Sequence, residues 1–147
     1  MTEASQLPTW DQLTVRVLPN DPTAGRTIEE EILGQLPGQG YDDSDIFAVK
    51  LSLDEALINA IRHGNQYDRS KHITVGYRVD DEQVVITVAD QGPGFDPGSL
   101  PDPTTESNRW KQGGRGIFLI RAYMDEVCFN ERGNQIWLVK RMHSHKP

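Results

Sequence analysis

The chain has 147 residues, of which 36% are hydrophobic and 25% charged, a length and composition that suit one globular core and exclude a disordered chain. Its formal net charge of -7 excludes a broad basic grip on nucleic acid or anionic membrane. The single cysteine, Cys128, excludes an internal disulfide, and the absence of a secretory signal or a membrane-length apolar run leads to a cytoplasmic expectation, with Cys128 read as a structural thiol.

Residues 1 to 10 carry no period and are expected to be loose, whereas QLTVRVL, residues 12 to 18, alternates as a strand. Asp21 before Pro22 reads as an N-cap with proline at the first helical position, and Ile28, Ile32, Leu33 and Leu36 recur among Glu29, Glu30 and Glu31. This first helix should stop near Pro37 and Gly38. A longer helix opens at Ser44, with Ile46, Val49, Leu53, Leu57, Ala60 and Ile61 on one face and an end near His63 and Gly64. KHITVGYRV (71 to 79) and QVVITVA (83 to 89), separated by Asp80, Asp81 and Glu82, predict an antiparallel hairpin.

The stretch from 90 to 116 is rich in Gly, Pro and Asp, and a connection of that length is the candidate lid; Arg109, Trp110 and Lys111 lie in it. IFLIRAYM (117 to 124) reads as a short apolar helix, and VCFNE (127 to 131) and QIWLVKR (135 to 141) as strands around a turn at Gly133 and Asn134. HSHKP, with His143 and His145, reads as a frayed tail rather than a metal site. With neither repeats nor a linker in view, residues 1 to 147 are expected to form a single domain, flexible over 1 to 10 and 142 to 147.

Three elements carry candidate chemistry. Glu55 and Asn59, four apart on the second helix, project from one face; an Asn carbonyl can ligate Mg2+ and a Glu can take a proton from a nucleophile, although a solvated helix face explains the pair as well. DQGPGF (90 to 95) follows a strand, so its glycines allow the backbone close to a flat ligand while Asp90 accepts a hydrogen bond from an exocyclic amine such as that of adenine; a plain strand-ending turn is the alternative. GGRGIFLI (113 to 120) leads glycines into an apolar helix whose N-terminal amides suit a phosphate, with Arg115 adding charge, or is an ordinary glycine-rich helix start.

Together, EALINAIRHGN (55 to 65), DQGPGF and GGRGIFLI resemble the N box and the two glycine boxes of the GHKL, or histidine kinase-like, ATP-binding superfamily, and most closely its small bacterial anti-sigma factor serine kinases. The resemblance is strongest from residue 50 to 122. It implies an α/β (α+β) two-layer sandwich, with a mixed, mostly antiparallel sheet covered on one face by helices. It further implies ATP and Mg2+ as cofactors, Glu55 as catalytic base, Asn59 as Mg2+ ligand and Asp90 as the adenine-reading carboxylate. Gly92 and Gly94 would shape the adenine side, Gly113, Gly114, Arg115 and Gly116 would hold the phosphates, and Arg62 and His63 would border the pocket. The implied activity is transfer of the γ-phosphoryl group of ATP to a serine of a small antagonist protein, with a sigma factor as the alternative partner and a homodimer as the assembly. Two other functions stay open at this point: a non-catalytic switch that uses nucleotide to set its shape, and a detached catalytic domain of a histidine kinase.

Overall fold

The computed structural model describes residues 7 to 94 and 114 to 143. A 3-10 turn at Trp10–Gln12 leads into strand β1 (Thr14–Pro19). Asp21 caps the next turn as its sequence foretells, its Oδ1 accepting from the Thr23 amide ahead of Pro22, and helix α1 runs over Gly25–Leu33. Helix α1 stops at Gly34 rather than at Pro37; Pro37 instead sits in the first turn of a separate short helix, α2 (Leu36–Gln39), which Gly40 closes at φ 103. Proline lacks an N–H, so it is tolerated in a first turn and as readily begins a helix as follows one.

Helix α3 spans Asp43–Ile58, with Asp42 rather than Ser44 at its start: the Asp42 carboxylate accepts from the Asp45 amide. It continues as a π-helical turn over Asn59–Gly64, so the helical run ends where His63 and Gly64 foretell. Strands β2 (His72–Val79) and β3 (Gln83–Ala89) form the expected hairpin, helix α4 covers Gly114–Tyr123, and β4 (Glu126–Phe129) and β5 (Gln135–Arg141) flank a turn with Gly133 at φ 74.

The strands form one sheet in the order β1-β2-β3-β5-β4, and every pairing among them is antiparallel, so the parallel component of the expected mixed sheet is absent from the described residues. The pairings put Ile73, Val75 and Tyr77 beside Val88 and Ile86, and these beside Ile136 and Leu138, on one face. That face makes one core with Ile28 and Ile32 of α1, Leu36 of α2, Val49, Leu53 and Leu57 of α3, and Ile117 and Ile120 of α4. Helices therefore cover one face of the sheet, the two-layer arrangement expected.

The other face is crossed by the N-terminal segment. Trp10 packs on Trp137 with ring centroids 6.4 Å apart, and Gly76 leaves room for Leu13 and Trp10, which a Cβ there would meet at 2.8 and 2.9 Å. Trp10, at the end of the stretch expected to be loose, thus covers apolar sheet surface. The other end is tied down as far as 143: the Met142 amide donates to Glu82 O and the His143 amide to the buried Asp45 carboxylate, which also faces Lys140 at 4.0 Å. No described helix is long and apolar enough to cross a membrane.

Candidate functional site

A cavity of about 220 Å³ opens between α3, α4 and the ends of β3 and β5. Ala56, Ala60, Val88, Ile117, Phe129 and Ile136 give it apolar walls, while Asn59, His63, Asp90 and Asn134 supply polar atoms. Apolar walls with a few placed polar groups suit a flat heterocycle.

The helix supplies Asn59 to the cavity and places Glu55 one turn before it on the same face. Asn59 opens the π-helical turn, a local widening that is frequent at functional positions. Its Nδ2 is buried without a hydrogen-bond partner among the described residues, a costly state unless something else pairs with the amide. Helix α4 comes up against the same two residues: a Cβ on Gly116 would stand 3.1 Å from Glu55 Oε1 and 3.2 Å from Asn59 Nδ2. The third glycine of the GGRG run therefore faces the carboxylate and amide of the N-box helix, with no side chain between them.

The strand-end turn supplies the carboxylate. Asp90 follows β3, and its Oδ1 accepts from the Gly92 amide at 2.7 Å. Burial pushes its carboxyl above the ordinary value, against the opposing pull of the Gly92 N–H and of the positive Lys71 and Arg132. The glycines beside it are obligatory. A Cβ on Gly92 would lie 1.9 Å from Gly64 O, and Gly94, at φ 80, would drive one to 1.8 Å from Arg132 O.

Of the residues singled out from sequence, Asn59, His63, Asp90 and Gly94 line the cavity, Gly92 shapes its rim turn, and Glu55 and Gly116 meet beside Asn59. Arg62 does not join them: it is exposed, and its Nε donates to the Tyr67 hydroxyl at 2.7 Å. Gly113 lies outside the described residues, as do the side chain of Arg115 and the lid residues Arg109, Trp110 and Lys111; Gly114 begins α4.

Sequence reasoning passed over Asn134 and Phe129, which line the cavity from the β4–β5 hairpin. Asn134 O accepts the Asp90 amide at 2.9 Å, and its Nδ2 reaches Gly92 O at 3.5 Å. The strands VCFNE and QIWLVKR and the turn at Gly133 and Asn134 marked the hairpin in advance, but nothing in them marked its approach to the Asp90 turn.

The residues present fit a nucleotide with a magnesium ion. The Asn59 Nδ2 is orphaned, so the amide can turn its oxygen toward a cation, the Gly116 position leaves room that a side chain would fill, and a carboxylate closes the apolar end. No cluster of three or more His, Cys, Asp or Glu fit to hold a metal occurs among the described residues, so a cation here would take most of its remaining ligands from phosphate and water.

The model of the histidine kinase-like ATPase domain family matches residues 18–140. The serine-protein kinase RsbW of Bacillus subtilis is 24% identical, over 92% of this chain and 89% of its own length. That of Staphylococcus epidermidis is 31% identical over 70% of this chain and 69% of its own length. That of Oceanobacillus iheyensis is 29% identical, and there the chain spans 63% of the relative's length. A crystal structure of the RsbU and RsbW domains of a Mycobacterium tuberculosis protein has the same fold, with a TM-score of 0.58 at 20% identity over 88% of this chain and 32% of that one.

Proposed function

The chain belongs to the histidine kinase-like ATPase domain family, and on that premise we propose that it is an anti-sigma regulatory factor with serine-protein kinase activity, phosphorylating a small antagonist protein and sequestering a sigma factor. The observation that carries the reading is the meeting of Gly116 with Glu55 and Asn59, which brings a glycine-led helix start, a carboxylate and an orphaned amide to one edge of an apolar cavity. The relatives named serine-protein kinase RsbW support the activity class.

In this reading the adenine ring lies between Ala60, Val88, Ile117 and Ile136, with its exocyclic amine donating to Asp90. Gly113, Gly114, Arg115 and Gly116 hold the phosphates at the start of α4. A magnesium ion, held by Asn59 and the phosphates, would neutralise charge on the transferred group. Glu55 accepts the proton of the incoming serine hydroxyl as the serine oxygen bonds to the γ-phosphorus; the bond to the β-phosphate bridging oxygen breaks and ADP leaves. The chain's remaining contribution is positioning. Phosphorylation would release the antagonist, and the kinase would then be free to sequester a sigma factor. A single domain in the cytoplasm, acting as a homodimer, completes the proposal.

The test is calorimetric titration of Mg-ATP into the native chain, Asp90→Asn and Asn59→Ala, followed by transfer of labelled γ-phosphate to a serine of a small antagonist protein. Binding that both changes weaken, with transfer that Glu55→Gln abolishes, is expected. Binding without transfer would leave a nucleotide-dependent switch, and no binding of any adenine nucleotide would end both readings.

A further inference from the structure

Asn65 closes the N-box run but does not line the cavity, and it is wholly buried at 0% exposure. Its backbone N–H donates to Ala60 O at 2.8 Å, and the chain then reverses through Gln66 and Tyr67 in the left-handed region at φ 52 and 59, which turns the Asn65 side chain inward. Its Nδ2 donates to Asn20 Oδ1 at 3.1 Å and to His72 O at 3.0 Å, while its Oδ1 accepts from the Gln91 amide at 2.7 Å. One buried amide thus joins the end of β1, the start of β2 and the turn after β3, with both functions of the amide used.

Gln91 is the residue after Asp90, so its backbone position sets where the Asp90 carboxylate stands. That turn is pinned from two sides. On the β5 side the Asp90 amide donates to Asn134 O at 2.9 Å; on the helix side the Gln91 amide donates to Asn65. The Gln91 side chain adds a third tie, its Oε1 accepting from the His72 amide at 2.7 Å. Asn20, by contrast, reaches the turn only through Asn65; its own Nδ2 donates to Asp68 O at 2.9 Å.

We propose that Asn65 is a positioning residue for nucleotide selection, holding the Asp90 turn against the end of the Asn59 helix so that the carboxylate meets an exocyclic amine and rejects a carbonyl. The ligand part rests on the adenine-reading role of Asp90; the positioning part stands without it. Loss of the Asn65 side chain leaves the Gln91 N–H, His72 O and Asn20 Oδ1 without their buried partner, and the turn is then held on this side only by the Gln91 side chain on the His72 amide and can shift toward β5.

Two measurements separate this from a merely structural role. In the nucleotide-free chain, hydrogen exchange at the Gln91 amide, followed by NMR, is expected to quicken in Asn65→Ala and to stay at the native rate in Asn20→Ala, although both lower the melting temperature. With nucleotide, the ratio of affinities for ATP over inosine triphosphate, which carries a carbonyl in place of the amine, is expected to fall about tenfold in Asn65→Ala, as when one hydrogen bond to a charged group is displaced, and to hold in Asn20→Ala. Asn65→Asp keeps an oxygen facing Gln91 but sets its second oxygen against His72 O and Asn20 Oδ1, so it is expected to melt lower than the native chain while holding Gln91 exchange and the nucleotide ratio nearer the native values than Asn65→Ala does. Unchanged Gln91 exchange in Asn65→Ala, an equal loss of both nucleotides, an equal fall in Asn20→Ala, or Gln91 exchange in Asn65→Asp as fast as in Asn65→Ala would overturn the assignment. A native chain that binds no adenine nucleotide would refute the proposed function, and the Gln91 exchange would still decide the positioning.

Discussion

The Cα of Gly64 faces the carboxylate of Asp90 so closely that a Cβ on it would lie 2.3 Å from both Cγ and Oδ2. The contact is reciprocal along the chain, because Gly92 passes 1.9 Å from Gly64 O by the same measure. The helix end and the strand-end turn therefore interlock through two missing side chains, and the seat of the carboxylate exists only because neither residue has one.

Gly64→Ala should accordingly displace Asp90. Overpacking of this kind costs about 1–3 kcal/mol, and since the atoms met belong to the site, affinity for adenine nucleotide should fall beyond the loss in melting temperature. Gly38→Ala is the matched control: nothing lies within 4 Å of the Cβ it would add, so stability should stay within about 0.5 kcal/mol and binding should not change. Calorimetry and thermal denaturation on the two variants check this; equal effects would refute the interlock.

Burial holds the Asp90 carboxyl above its ordinary value of 3.8. A group whose folded value is raised binds its proton more tightly in the folded chain, so ionised Asp90 costs stability above that value, and the cost disappears on acidification through it. Binding runs the other way, since the carboxylate accepts from the adenine amine more strongly than the protonated acid does. ATP affinity is expected to drop, as pH falls, at a higher pH than an exposed aspartate would give. That step should be missing in Asp90→Asn, which binds weakly throughout but melts no lower near neutral pH. Titrations across the acidic range decide it, and a step that persists in Asp90→Asn would assign it to another group.

Gly116→Ala tests the phosphate side. The added Cβ would sit 3.1 Å from Glu55 Oε1 and 3.2 Å from Asn59 Nδ2, tight enough to push both aside by a few tenths of an ångström. Misplacement costs positioned chemistry more than it costs binding, and since about 1 Å can cost a hundredfold, a few tenths of an ångström should lower phosphoryl transfer by about tenfold while ATP affinity changes by less than about threefold. Single-turnover transfer alongside calorimetry reads the two separately. Equal losses would mean that Gly116 serves binding alone.

Much of this was legible in advance, and the misses share a cause. Alternation in residues 71 to 79 and 83 to 89 located the central hairpin, and the spacing of Val49, Leu53, Leu57 and Ile61 located the buried helix face, because both signals are local and repeat. The glycine boxes were visible because glycine is demanded wherever backbones touch, as at Gly92 and Gly94. Asn65 was not singled out: its partners Asn20 and Gln91 lie 45 and 26 residues away, and no local pattern reports such a contact. Arg62 looked like a pocket residue by adjacency, but the π-helical turn aims it at Tyr67. Pro37 fits the end of one helix as well as the start of another, and the end of α1 was misplaced on that ambiguity.

The N-terminal cover offers a final prediction, because it lies on the sheet face away from the cavity. Gly76, Thr87 and Trp137 point to that face, since their neighbours Val75, Ile86, Ile136 and Leu138 point into the helical core. Trp10 and Leu13 rest on the bare Gly76 backbone, and the Trp10 ring is tilted 49° on Trp137. Trp10→Ala removes a half-buried ring, for which a loss of about 1–3 kcal/mol is expected, together with a shift in tryptophan emission as Trp137 is uncovered. Gly76→Val should act alike by pushing the segment off. Neither change touches the walls of the cavity, so ATP affinity measured below the melting transition should match the native chain. A variant that loses affinity in proportion to stability would show that the two faces of the sheet are coupled through β2 and β3, and that the N-terminal segment takes part in nucleotide binding.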